Sequence, residues 1–548
     1  MKRRDFLRTT SAASAGPLLL GGVPVFANPV NNLLTAWAAS SLNDRVLVIV
    51  QLHGGNDGLN TVIPVNNYGM YYNVRPNIAI PQNGARKYIT LDNSLEDARK
   101  VGLHTDMTGA KALYDQGKMA LVQNVSYENL NASHFRSRDI WFMGGNYDDY
   151  LASGWMGRYL DYYYPNYPAN YPNPDMPDPL ALEIGSGLSL AFHKGNGIPV
   201  SLGIQDPVAF YNLINSVGTD PLYNFPDNYA GDELRYIAEM EQQGNVYAQR
   251  LRDTYLAGSN SSVVYPEIYP HLAPQGSLRN HLAPQLKIVS RLLSGGSRTK
   301  IFLCRIGGFD THANQVLEND TTMGSHAALL YHISSAVQAF HNDLQQLGLG
   351  DRVVTATISE FGRRIASNAS YGTDHGDAAP LFVFGNCVKG GVFGTNPSAA
   401  DLQGGNLPMQ IDYRQVMTAL VMDWLGADVS AMQHVAFTEW VDSRLDIIDC
   451  KWVGSEEAQK DSPGISVSPN PSSGAALVRY KLTESDNYTF TVYSEGGTAL
   501  IQRSLGYQTP GNKTLDIDAS SWAPGLYYLV IQGSARRNRA MTKFVVVR

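Results

Sequence analysis

The sequence predicts an α/β fold, a largely parallel sheet flanked by helices, followed by a small C-terminal β-sandwich. Nearly continuous apolar runs recur along the chain, the texture of strands buried on both faces. Helical patterns lie between them, as in a sheet covered on both sides. Beyond Glu456 the texture changes to short alternating strands punctuated by Gly, Asn and Pro. At 548 residues the chain also exceeds what one ordinary core supports.

In chain order, residues 1–27 read as a twin-arginine signal peptide. Lys2-Arg3-Arg4-Asp5-Phe6-Leu7 is a basic start, and the stretch from Ser11 to Phe26 is too short and weakly apolar for a stable membrane span. The main α/β domain is expected over 44–450. It opens with the run Arg45 to Leu52, which leads into the glycine-rich turn His53-Gly54-Gly55-Asn56-Asp57-Gly58. Further strands are expected at Met119–Asn124, Lys300–Ile306, Arg352–Ile358 and Pro380–Phe384, with helices at Met107–Gln116 and Ala327–Leu347. The helix Tyr413–Leu425, with Val416, Leu420 and Trp424 on one face, closes the domain. The Tyr- and Pro-rich stretch from Tyr147 to Pro179 reads as an irregular surface insertion, either lining a cleft or simply packed. A polar linker covers 451–464 and the sandwich 465–548, with strands at Ala476–Leu482, Tyr488–Tyr493, Lys513–Ile517, Gly525–Ile531 and Lys543–Val547.

Composition excludes several function classes. A net charge of −7 gives no clustered basic surface for nucleic acid. The three cysteines, Cys304, Cys387 and Cys450, are far apart, which argues against a disulfide scaffold and against a Cys-type zinc site. Beyond the leader, no segment has the continuous apolarity of a transmembrane span.

Chemistry-bearing residues gather at the turns beside strand ends, where ligands bind in open α/β sheets. The first such place is Asn56-Asp57. The second is Ser133-His134 with Arg136, Ser137, Arg138 and Asp139, and the third is Asp310-Thr311-His312. The fourth pairs Glu360-Phe361-Gly362-Arg363-Arg364 with Asp374-His375-Gly376-Asp377. His and carboxylate ligands from several strand ends are what a hydrolytic metal site requires. Asp310 and His312, at i and i+2, share one side of an extended segment. Arg363 or Arg364 offers a fork for a phosphate or sulfate oxygen. His53, His326, His332 and His341 lack partners at useful spacing and read as packed or surface imidazoles.

The C-terminal segment resembles the type IX secretion system C-terminal sorting domain. Ser468-Pro469-Asn470-Pro471, Tyr493-Ser494-Glu495-Gly496-Gly497, Pro524-Gly525-Leu526-Tyr527-Tyr528 and Lys543-Phe544-Val545-Val546 carry the resemblance. It implies the type IX secretion machinery as partner, the Tat translocon serving the leader, and an extracellular or outer-surface destination.

The large domain resembles the bacterial domain-of-unknown-function family 1501, within the alkaline-phosphatase and sulfatase superfamily. That resemblance rests on the Tat leader with Leu52 to Asn60, Ser133-His134-Phe135, Gly154-Trp155-Met156-Gly157-Arg158, Gly308 to His312 and Ser359 to Arg363. It implies an alkaline-phosphatase-like sheet and divalent metal ions (Zn, Mn, Mg or Ca, their number open) held at strand ends beside a nucleophile. Carried over in chain order, the metal ligands are Asp57, Asp310, His312, Glu360 and His375. Ser133 falls in the nucleophile region with Ser137 as substitute, His134 is a rival acid, base or ligand, and Arg363 joins the catalytic group.

The chain departs from the superfamily in its Asp-x-His spacing and in having Phe361 where a second imidazole is expected. Reading Asp374-His375-Gly376 as the superfamily's Asp-His-Gly pair would leave the last ligand to His434. The function this implies is an exported metal-dependent hydrolase of phosphate or sulfate esters. The alternative is a non-catalytic surface protein on the same fold, contacting glycans or an envelope partner.

Overall fold

The structure, a computed structural model, describes residues 18–20, 23–25, 44–449 and 465–547, apart from 186, 196, 218–243, 245, 471, 483, 495–498 and 534–538. The expected leader lies outside the described residues except for a hairpin of Leu18–Leu20 with Val23–Val25. The linker 451–464 and Cys450 lie outside them as well. The rest forms two units, one within 44–449 and one within 465–547.

The larger unit is built on β1 (Val46–His53), β2 (Met119–Ser126), β3 (Ala181–Ile184), β4 (Ser201–Ile204), β5 (Ile301–Gly307), β6 (Val353–Ser359), β7 (Ala379–Phe384), β8 (Gly391–Phe393) and β9 (Ile411–Asp412). They form one nine-stranded sheet in the order β8-β2-β7-β6-β1-β5-β3-β4, with β9 beside β2. Pairing is parallel throughout, except that β7 runs antiparallel to β6 and β2. In β1 every residue from Val46 to Leu52 is buried, as are all of β2 and β6. That is the signature of a sheet covered on both faces. The short strands β3, β4, β8 and β9 carry too few residues for an apolar run, and the sequence does not announce them.

Helices α1 (Thr108–Asp115), α2 (His134–Met143), α3 (Trp155–Tyr163), α4 (Ala283–Ser294), α5 (Ser325–Gln346) and α6 (Tyr413–Ala419) provide cover. The long α5 packs on α1 and α4 and buries Ala328, Ile333, Val337, Phe340 and Leu344. Its contact with α1 is close because position 109 is glycine: a Cβ there would lie 2.4 Å from the Ser334 carbonyl oxygen. The predicted helix Tyr413–Leu425 is α-helical only to Ala419 and then widens into a π-turn, Leu420–Trp424.

The expected irregular insertion is corrected. It contains α3, and Tyr163, Tyr164, Tyr167 and Met176 pack into the core. Buried Arg158 ties α3 to the carbonyls of Met143 and Val435. Cys387 is disulfide-bonded, whereas Cys304 is free and buried.

The smaller unit pairs a three-stranded sheet with a four-stranded one. The first holds β10 (Ile465–Ser468), β11 (Ala475–Leu482) and β14 (Gly511–Asp518); the second holds β12 (Asp486–Ser494), β13 (Ala499–Gln508), β15 (Gly525–Gly533) and β16 (Arg539–Val546). Val478 and Ile517 from one sheet share a core with Phe490, Val492, Leu529 and Phe544 from the other, which makes this unit a sandwich. Strands β10 and β13 were not expected. Among the described residues no helix is long and apolar enough to cross a membrane.

Candidate metal centre

Strand register assembles the centre. Gly307 pairs with His53 and Ser359 with Leu52, so β1, β5 and β6 end side by side. Because β7 runs the other way, its first residue, Ala379, lies at that same edge, opposite Val125 of β2. The loops leaving β1, β2, β5 and β6 therefore meet the loop entering β7. His134 opens α2, Asp310 and His312 follow β5, Glu360 follows β6, and His375 precedes β7. Gly54, at φ +124°, lets the loops after β1 and β5 close on each other, since a Cβ there would lie 2.3 Å from the Asp310 backbone nitrogen.

Three imidazoles converge on one carboxylate oxygen. Asp310 Oδ1 lies 3.5 Å from His134 Nε2, 3.2 Å from His312 Nε2 and 3.3 Å from His375 Nε2. The other nitrogen of each ring already faces an acceptor. His134 Nδ1 is 3.0 Å from Glu360 Oε1, His312 Nδ1 is 3.3 Å from Asp374 Oδ1, and His375 Nδ1 is 2.8 Å from the Ala132 carbonyl. An acceptor at Nδ1 holds the proton there and leaves the lone pair on Nε2. His312 Nε2 and His375 Nε2 stand only 2.9 Å apart, so their lone pairs repel unless a cation or proton lies between them. One ligand atom each from His134, Asp310 and His375 falls within 4.8 Å of the others, a donor set suited to Zn.

Electrostatics support the arrangement. Burial opposes ionisation of Asp310, but the Arg363 guanidinium, 2.7 Å away, together with His375 brings its carboxyl down to about 2. Glu360 is buried, and burial alone would raise its pKa. Its bond to His53 and the Gly54 N–H, 2.8 Å from Oε1, hold the carboxyl below its usual range. Glu360 Oε2 and His134 Nε2 are buried without a hydrogen-bond partner. Phe361 packs against the rings of His134 and His375 at 4.8 and 4.6 Å and closes the inner side.

The sequence reading missed His53. Its Nδ1 lies 3.2 Å from Glu360 Oε1, and that bond raises its pKa against the opposing effect of burial. The signal was only its place at the end of β1, because its partner is more than three hundred residues away. His326, His332 and His341 are buried and bonded to Asn56, the Ser277 carbonyl and Thr355, so they are packed as expected.

Other expected positions are not brought into the centre. Both Asp57 oxygens face Arg75 Nη1, at 2.9 and 2.8 Å, and Gln315 Nε2 adds a bond of 2.6 Å. With both side chains wholly buried, Asp57 is the counter-charge of Arg75 and offers no open ligand atom, which corrects the expectation for it. The Arg363 fork is also spent: it donates to the carbonyls of Gly54, Gly55, Phe309 and Thr373 besides Asp310. It positions Asp310 and is not free to grip an oxyanion. Ser137 is buried against Tyr127 and donates to the Glu360 carbonyl, which removes it as substitute nucleophile. Ser133 is exposed at the N-cap of α2, next to His134. His434 pairs instead with Asp161.

Two segments of the chain have recognised relatives. Residues 287–410 match the family described as "Protein of unknown function (DUF1501)". That segment carries Asp310, His312, Glu360, Arg363 and His375, while His53 and His134 precede it. Residues 466–547 match the secretion system C-terminal sorting domain, which implies export to the cell surface or outside the cell. No curated protein sequence matches significantly.

Likeness to solved structures is faint and carries no argument. The type IX surface component PorZ of Porphyromonas gingivalis is 16% identical over 19% of this chain and 14% of its own, at a TM-score of 0.12. The PsFucS1 sulfatase of Pseudoalteromonas sp. is 10% identical over 89% and 88%, at 0.30. The alkaline phosphatase of the Antarctic bacterium TAB5 is 9% identical over 63% and 92%, at 0.26.

Proposed function

We propose that this protein is an exported, metal-dependent hydrolase of phosphate or sulfate esters. His134, Asp310 and His375 would hold a divalent ion, with His312 beside them. The observation that carries the reading is the convergence of three Nε2 lone pairs on Asp310 while every Nδ1 is engaged. The imidazole-rich donor set favours Zn over Mg, Ca or Mn. When bound, such an ion supplies Lewis-acid polarisation of the ester oxygen.

The chain's own residues do the remaining work. Glu360 and the Ala132 carbonyl orient His134 and His375 and fix their tautomers. Arg363 keeps Asp310 ionised, and Phe361 keeps water from behind the rings. Ser133, exposed beside His134, is the nucleophile we assign. The ester class rests on the family resemblance at these residues. A Tat leader followed by the type IX machinery is the export route we infer.

The rival reading, a binding protein without catalysis, draws support from the committed Arg363 fork and the neutralised Asp57. Metal analysis of the purified protein, with turnover of aryl phosphates and aryl sulfates by wild type and Asp310→Ala, decides between them. Bound metal and turnover that vanish together in Asp310→Ala support the hydrolase. A metal-free wild type without Asp310-dependent turnover sinks it.

A further inference from the structure

Asp57 is committed to Arg75, but one of its oxygens also takes a bond that leads to the metal centre. Gln315 Nε2 donates to Asp57 Oδ2 at 2.6 Å. A carboxylate has no proton to give, so the amide nitrogen faces it and the amide oxygen is turned the other way. That oxygen accepts from the Thr311 hydroxyl at 3.0 Å and from the Thr373 hydroxyl at 2.9 Å. All four side chains are buried, so each lost bond would strand a polar group away from water.

The two threonines stand in the two segments that carry the ligands. Thr311 lies between Asp310 and His312 and points inward, while those neighbours, on the other side of an extended segment, are half-exposed. Thr373 precedes Asp374, which holds His312 Nδ1, and His375. The Thr373 N–H donates to the Thr311 carbonyl at 3.1 Å, so the segments run side by side where their hydroxyls meet the amide. Behind the amide, Asp57 follows β1, and Arg75 holds the carbonyls of Arg364 and Ile365. Gln315 therefore ties both ligand segments to one buried ion pair.

What needs holding is the approach of two rings. His312 Nε2 and His375 Nε2 are 2.9 Å apart, a separation that their lone pairs oppose. Two nitrogen ligands on one tetrahedral zinc ion stand about 3.3 Å apart. The rings are thus presented near the spacing that a shared cation imposes, and only firmly fixed segments can present them so.

We propose that Gln315 is a positioning residue of the metal centre, its amide clasping Thr311 and Thr373 so that His312 and His375 face one cation at a set spacing. The clasp rests on the metal reading of the centre and not on ester hydrolysis. It also gives Asp57 a part in the centre from behind, without a ligand role.

Changes at the threonines test the clasp without touching Asp57. Thr373→Val removes the hydroxyl but keeps the volume and the backbone bonds, whereas Thr373→Ser keeps the hydroxyl. Zinc affinity of the full chain, measured by competition with a chelating dye, should fall about 10-fold in Thr373→Val. It should stay close to wild type in Thr373→Ser. The cobalt-substituted protein gives a second reading: its visible bands, intense for a tetrahedral ion, should weaken in Thr373→Val and recover in Thr373→Ser. Should Thr373→Val fail to fold, Thr311→Val against Thr311→Ser reads the same amide from the other segment.

Unchanged zinc affinity and cobalt bands in folded Thr373→Val would overturn the clasp, even with a lowered melting temperature, since the network would then be structural only. Equal losses in Thr373→Val and Thr373→Ser would overturn it as well. Wild type that binds zinc without turning over aryl esters would remove the hydrolase reading and leave the clasp to be judged by the variants. Turnover with a zinc affinity indifferent to Thr373→Val would do the reverse, and a wild type that takes up no zinc would overturn both.

Discussion

Asp57 and Asp310 follow neighbouring parallel strands, β1 and β5, yet serve opposite ends. Asp57 is fully buried, and Arg75 and Gln315 fill its oxygens. Asp310 is 49% exposed, and three imidazoles with unspent lone pairs crowd one of its oxygens. The strand end only delivers a carboxylate to the edge of the sheet. What surrounds it there decides whether it braces the fold or offers itself to a cation. A guanidinium touches both, but Arg75 joins Asp57 in complete burial, whereas Arg363 spends most of its donors on backbone carbonyls and leaves Asp310 open on its other side.

The contrast breaks first on stability. Asp57→Ala strands a buried guanidinium and should cost about 3–5 kcal/mol in a urea titration. A loss under about 1 kcal/mol would mean that the Ile365, Arg364 and Asn60 oxygens that Arg75 already meets suffice and that the pair does not brace the fold. Next comes Glu360→Gln, which keeps the shape but weakens the orientation of His134. Zinc affinity, by competition with a chelating dye, should fall about 10–100-fold. An unchanged affinity would remove Glu360 from the support of the centre.

The acid limb of stability offers a third comparison. Burial pushes the Asp57 carboxyl up, but Arg75 and then His326 outweigh it and carry it below its usual value. The stability it confers is therefore present in full above about pH 4, the unfolded carboxyl range. It is lost as pH falls through the lower folded value. Melting temperature followed from pH 6 to pH 2 should drop steeply in wild type and more gently in Asp57→Ala. The smallest effect belongs to Asp310→Ala, which should change metal-free stability by less than about 1 kcal/mol, since Asp310 is itself half-exposed and buried Arg363 keeps its four backbone carbonyl acceptors. A large loss would make Asp310 a second brace and erase the distinction.

Much of this was legible in the sequence. The apolar runs at Val46, Met119, Ile301 and Val353 marked the sheet, and polar turns beyond them marked its functional edge. Asp57, Asp310, His312, Glu360 and His375 were expected together; Asp310, His312 and His375 lie side by side, Glu360 stands behind His134, and Asp57 is apart. The part that was not legible depends on partners remote in the chain. Nothing in the pattern announces Arg75 as the counter-charge of Asp57, because it reaches back from the end of the helix Tyr68–Val74. His53 looked idle for the same reason, its partner Glu360 lying on another strand. The Tyr-rich stretch read as surface because proline and asparagine punctuate it, yet tyrosine rings carry enough apolar area to pack into a core.

The reversed strand β7 has a further consequence. The chain leaves the sheet at Ser359 and returns at Ala379 on the same edge, and Arg363 bridges to His375 along the way. Glu360, Arg363, Asp374 and His375 thus travel in one hairpin-like lobe anchored at both feet. Its outer tip is tied down as well: the backbone N–H groups of Asn314 and Gln315 donate to the Ser370 and Tyr371 carbonyls, and Asn368 donates to the His312 carbonyl. The lobe and the loop after β5 are thus laced into one unit, so a change of length at the tip would be felt at Asp310 and His312.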